Sequence, residues 1–78
     1  MTQEELVRLD QILLYIRNEV ISATEKFGPF HSSHEGYAII QEELDELWDE
    51  IKSNRRENWH DEAKQVAAMG ARFMFDLC

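Results

Sequence analysis

EELDELWDEIK, residues 42–52, carries six carboxylates in its first nine positions and no basic residue until Lys52. Together with the residues before it, the segment sets apolar side chains at Tyr37, Ile40, Leu44, Leu47 and Ile51. Steps of three and four are the period of an α-helix with one buried face, not the alternation of a strand. The same helix brings like charges three and four positions apart, each pair costing roughly 0.2–0.5 kcal/mol. A helix patterned well for packing and poorly for charge needs a reason for its acids.

Upstream, Ser32-Ser33-His34-Glu35 predicts the start of this helix, with Ser32 as cap and Glu35 returning the bond in a capping box. Lys26-Phe27-Gly28-Pro29-Phe30-His31 is the break before it, punctuated by Gly-Pro. The preceding segment, from about Thr2 to Glu25, repeats Leu6, Leu9, Leu13, Ile16, Val20 and Ala23, with Val7, Leu14 and Ile21 as a second line. Its apolar face is wider than one neighbouring helix needs, which predicts a contact with another subunit. Lys52 to Glu57 is a polar turn. A third helix follows from about Asn58, with Trp59, Ala63, Val66, Gly70, Phe73 and Leu77 as its stripe and small residues at Ala67, Ala68, Gly70 and Ala71 for close approach. The expected architecture is all-α: one domain over 1–78, an antiparallel three-helix unit completing a larger helical bundle by dimerisation.

Composition agrees. A chain of 78 residues that is 44% hydrophobic, with one proline and three glycines, is too apolar for disorder and too poor in turns for an all-β fold. At this size one core is barely sufficient, and oligomerisation is a common remedy. The net charge of −8 argues against nucleic acid and anionic membrane as partners, because both need a basic footprint. A nucleotide remains admissible, since a divalent ion reverses the local charge. Cys78 is the single cysteine, so no intramolecular disulfide forms. With an acidic start lacking a secretory pattern and no apolar run of membrane-spanning length, a cytoplasmic protein is expected.

The acids do not simply face away from the apolar stripe. At 100° per residue, Glu43 lies about 80° from the stripe centre and Glu62, on the third helix, about 60° from its own. Glu43 and Glu46 on one helix, with Glu62 and Gln65 on the next, therefore flank two packing faces. Carboxylates so placed suit a hard divalent ion, and Mg²⁺ binds through a few of them plus water and substrate phosphates. The alternative is a solvated acidic face. Against it, no Lys or Arg occurs between Lys26 and Lys52, whereas a merely solubilising helix mixes signs.

EELDE, followed after 15 residues by EAKQ, resembles the EExxE…ExxD signature of the MazG-like, all-α nucleoside triphosphate pyrophosphohydrolases. The FGPF loop before the acidic helix is similar as well. The resemblance covers roughly residues 27–78. It implies hydrolysis of a nucleoside triphosphate to the monophosphate and pyrophosphate, with Mg²⁺ as cofactor (Mn²⁺ as substitute), in a homodimer or homotetramer. Carried over position by position, it implies Glu43, Glu46 and Glu62 as metal ligands, Gln65 at the position of the family's final Asp, and Glu42 as the group that orients or deprotonates water. Gln65 departs from the pattern by offering a neutral oxygen, and Asp61, one turn earlier, lies on the same side. The family core continues into a further helix that helps hold the substrate; here either a second subunit supplies that wall or the protein is a reduced, weakly active version.

Lys52, Arg55, Arg56 and Phe30 are the candidate substrate contacts, the cations for phosphate and the ring for a base. Each also has a plain structural use, as a solvated turn or a loop anchor. Glu57-x-x-His60 resembles half of a di-iron carboxylate site, but a second such motif is missing. A non-catalytic helical interaction module with an acidic partner-binding face is the competing function class.

Overall fold

The computed structural model describes residues 1–78. It is all-helical: α1 spans Gln3–Phe27, α2 Ser33–Lys52 and α3 Trp59–Leu77, with one 3₁₀ turn at Arg56–Asn58 leading into α3. No strand is present, and no helix is long and apolar enough to cross a membrane.

Helix ends follow their local chemistry. Thr2 caps α1 in a complete capping box, its Oγ1 accepting from the Glu5 amide at 3.1 Å while its own amide donates to Glu5 Oε1 at 2.8 Å. The T-x-x-E pattern that forms it is Thr2-Gln3-Glu4-Glu5. Ser32 accepts from the Glu35 amide at 3.1 Å, as expected, but the Glu35 carboxylate turns to His31 Nδ1 at 3.2 Å, so only half of that box forms. α1 stops where Gly28 adopts φ 75°, a backbone conformation that suits glycine, and Pro29 follows. α2 stops in a Schellman motif: Asn54 takes the left-handed conformation, Arg55 N–H donates to Glu50 O at 3.0 Å and Asn54 N–H to Ile51 O at 3.1 Å.

α3 is the shared element. α1 and α2 each pack along it and not along one another. Contacts at Tyr15–His60, Glu19–Gln65 and Gly28–Arg72 show α1 running parallel to α3. Contacts of Glu43 and Glu46 with Glu62, and of Gly36 with Phe73 and Leu77, show α2 running antiparallel. The core beneath is small, consisting of Ala23, Phe30, Ala68 and Met69, with Ile16, Val20, Ile39, Ile40, Phe73 and Leu77 around it.

The packing face of α2 is rotated from the expected stripe. On α2 the inward line is Gly36, Ile40, Glu43, Leu47 and Glu50, while Tyr37, Leu44, Trp48 and Ile51 are exposed. On α3 the expected Val66, Gly70, Phe73 and Leu77 are partly buried and only Ala63 of that stripe is exposed, while the deepest line is Ala68, Met69 and Arg72, flanked by Glu62, Gln65 and Asp76. The cause lies in the close approach at Gly36, where a Cβ would lie 2.7 Å from the Phe73 ring. Gly70, expected to admit a neighbour, has nothing within 4 Å of its Cβ position. The first part of α1, residues 3–11, extends past the start of α3 and is exposed throughout, about 13 Å of helix.

This geometry separates two glycines that look alike in sequence. Gly36→Ala is expected to lower unfolding stability by about 1–3 kcal/mol through overpacking, whereas Gly70→Ala raises it by up to about 1 kcal/mol through helix propensity. Urea unfolding of both variants checks this, and equal effects would contradict the packing described.

Candidate metal centre and adjoining cleft

Three acids converge where α2 crosses the start of α3. Glu43 and Glu46 are one turn apart on α2, and Glu62 lies in the first turn of α3. One oxygen from each lies within 4.8 Å of the others. Ligand oxygens around Mg²⁺ are about 3–4 Å apart, given bonds of about 2.0–2.1 Å, so small side-chain rotations complete the set. Glu46 is exposed and provides the entry side, while Glu43 and Glu62 are half-buried.

The acids perturb one another as a shared site should. Burial raises the Glu43 carboxyl to about 7, helped by the charge and hydrogen bonding of Glu46 and then by Glu62 and Glu42. Glu62 is also raised, first by burial and then by Glu46, Glu50 and Asp61. Glu62 Oε2 is buried without any hydrogen-bond partner. A buried carboxylate oxygen left unpaired is costly, and this one fits a cation in place of the missing donor. The residues present therefore suit a hard divalent ion on a structural observation independent of charge count.

Beside the cluster, a cleft of about 500 Å³ runs between α1 and α2 with α3 as its floor. Glu42 and Glu43 form part of its α2 wall, Glu19 and Lys26 part of its α1 wall, and Gln65 and Arg72 part of its floor. The packing of α1 and α2 on α3 alone leaves this space open.

The remaining site candidates separate. Glu42 stands on the cleft wall next to the cluster. Gln65 is also in the cleft, but its Nε2 donates to Glu19 Oε1 at 2.6 Å, tying α3 to α1, and it is not among the converging ligand atoms. Phe30 lines the cleft yet is buried, with the Arg72 guanidinium 4.3 Å from its ring centroid, so its main work is anchoring the loop. Phe27, 68% exposed, is the ring that the loop leaves free.

Lys52, Arg55 and Arg56 do not line the cleft. Arg55 donates to Glu50 at 2.6 and 3.3 Å, and Asn58 donates to the same carboxylate at 3.1 Å, which fastens the α2–α3 turn. That pairing, chiefly the Arg55 hydrogen bond, holds Glu50 below the usual carboxylate range. Lys52 sits 3.4 Å from Asp49, and Arg56 lies over the Trp59 ring. The cations that do line the cleft are Lys26 and Arg72. Neither stands out in the sequence, because Lys26 lies beyond Ala23, the last position of the α1 stripe, and Arg72 interrupts an apolar stretch of α3.

Comparison of the chain with protein-family models, curated proteins and solved structures finds no match.

The raised Glu43 carboxyl has a signed consequence for stability. Between its ordinary value and about 7, the folded state holds a proton that the unfolded chain releases, so stability falls as pH rises through that window. Allowing for solvent screening, the loss is of order 2 kcal/mol. Glu43→Gln is expected to flatten the pH profile and leave the protein more stable than wild type at pH 8, as read by urea unfolding at pH 5 and 8.

Proposed function

We propose that this chain is a Mg²⁺-dependent nucleoside triphosphate pyrophosphohydrolase. The observation that carries the reading is the convergence of Glu43, Glu46 and Glu62, with the unpaired Glu62 oxygen, at the side of a cleft. The EExxE…ExxQ pattern resembling the MazG-like enzymes supports it from the sequence side. Glu43, Glu46 and Glu62 would hold the ion. Mg²⁺ held there would neutralise phosphate oxygens and lower the cost of deprotonating the attacking water.

This chain's own part is positioning and proton movement. The cleft lies along α3 and receives the nucleotide beside the acids, while the half-buried state of Glu43 and Glu62 limits access of bulk water. Glu42 accepts the proton of the attacking water as its oxygen bonds to the α-phosphorus. The α–β bridging P–O bond breaks, and pyrophosphate leaves with the electron pair. Gln65 serves as a brace to Glu19 in this reading, and the family's fourth anionic ligand has no counterpart in the cluster.

The same reading includes a homodimer or homotetramer. Leu6, Val7 and Leu9 on the projecting part of α1, and Leu44, Trp48 and Ile51 on α2, are exposed. Apolar patches of this kind are uncommon on monomers. A second reading, a non-catalytic helical interaction module, is favoured by the same exposed rows.

Two measurements test the proposal. Pyrophosphate release from a panel of nucleoside triphosphates with Mg²⁺ is expected for at least one substrate, with Mn²⁺ substituting. Glu46→Gln is expected to remove release and to weaken Mg²⁺ stabilisation of the fold at least tenfold in concentration, with unchanged far-ultraviolet circular dichroism. Metal stabilisation without turnover leaves the interaction module.

A further inference from the structure

The other end of the cleft has its own chemistry. Arg72 lies on α3 ten residues beyond Glu62, about 15 Å along the axis. It is 3% exposed, the one charged residue of the chain that is fully inside. Its Nη2 donates to Gly28 O at 2.6 Å, its Nη1 meets the Met69 sulfur at 3.6 Å, and its Nε has no partner. No carboxylate pairs with it in a chain of net charge −8. The nearest acids by position are otherwise engaged: Asp76 accepts from the Phe30 amide at 2.9 Å, and Glu35 is bound to His31. Burying a guanidinium without a counter-ion is costly, and buried charges are ordinarily paired. Stacking on Phe30 and one carbonyl bond offset only part of that cost.

We infer that the loop end of the cleft is an anion-binding subsite, in which Arg72 and Lys26 take a phosphate group. Both line the same cleft, and Lys26 stands at the end of α1 beside the exposed Phe27 ring. A tetrahedral oxyanion accepts several hydrogen bonds at once, which a guanidinium with an unused donor and an exposed ammonium can supply together. The other lining acids set its limits. Glu19 is held by Gln65, and Glu35, at the loop end itself, is held by His31, whereas Glu42 and Glu43 repel an anion from the opposite end, so the phosphate sits between Arg72 and Lys26. The inference rests on the cleft alone and stands whether or not the three glutamates hold an ion.

The test uses the intact chain without divalent metal, titrated with pyrophosphate at low ionic strength and followed by ¹⁵N NMR. Saturable shifts of the Arg72 Nε–H and Gly28 amide resonances are expected. Lys26→Gln, an exposed substitution, is expected to weaken the affinity roughly fivefold, and Arg72→Met roughly tenfold or more. Should Arg72→Met fail to fold, Lys26→Gln with the Arg72 resonance decides. An Arg72 Nε–H signal unmoved by pyrophosphate, or an affinity unchanged in Lys26→Gln, would overturn the subsite and leave Arg72 as a loop anchor. Because no metal is present, neither result depends on the glutamate cluster.

Discussion

A polar seam runs through the contact of α2 with α3, and the rest of the molecule follows from it. The inward line of α2 contains Glu43 and Glu50, and that of α3 contains Glu62, Gln65, Arg72 and Asp76. Helices normally meet through apolar stripes. Here each polar group in the seam must find a specific partner or remain a cost. Glu50 has Arg55 and Asn58, Gln65 has Glu19, and Asp76 has the Phe30 amide. Those bonds fix the α2–α3 turn, the spacing of α1 and the loop at 28–30. What they leave unpaired is the Glu62 oxygen at one end of the seam and the Arg72 Nε towards the other.

Turning polar residues inward also turns apolar ones outward. With Gly36 pressed against Phe73, α2 presents Leu44 and Trp48 to the outside, the latter 55% exposed. Four buried apolar residues are a thin core for a chain of this length. The exposed rows and the acid cluster are therefore two results of one rotation about the axis of α2. The repulsion evident in residues 42–50 is eased in the folded chain by proton uptake at Glu43.

The helices were legible because each carries a sustained period and identifiable breaks: Gly28-Pro29 after α1, and the polar turn before α3. The grouping of Glu43, Glu46 and Glu62 was legible too, since i, i+3 spacing and stripe-edge placement survive a modest rotation. The stripes of α1 and α3 were legible in Ile16, Val20, Ala23, Phe73 and Leu77, but the face α2 buries was not, because hydrophobicity alone favoured Tyr37, Leu44 and Ile51 over Gly36 and Glu43. A single glycine contact decides that register, and periodicity carries no information about partners. Arg55 and Phe30 were read as substrate contacts on residue type, and their neighbours Glu50 and Arg72 are known only once the chain is folded. Gln65 was legible as a departure from a pattern, but its bond to Glu19 depends on α1 lying parallel to α3.

The projecting part of α1 has a consequence for order as well as for shape. A helical segment of residues 3–11 has only its Thr2–Glu5 cap and its own backbone bonds to sustain it, and isolated helices this short are marginal in water. Its amides belong to the least protected class in hydrogen exchange, where opening needs no global unfolding. Any surface that lies along Leu6, Val7 and Leu9 shifts that local equilibrium by mass action. The rigidity of this arm is thus a variable set by concentration and company, unlike that of α3, which is held from both sides.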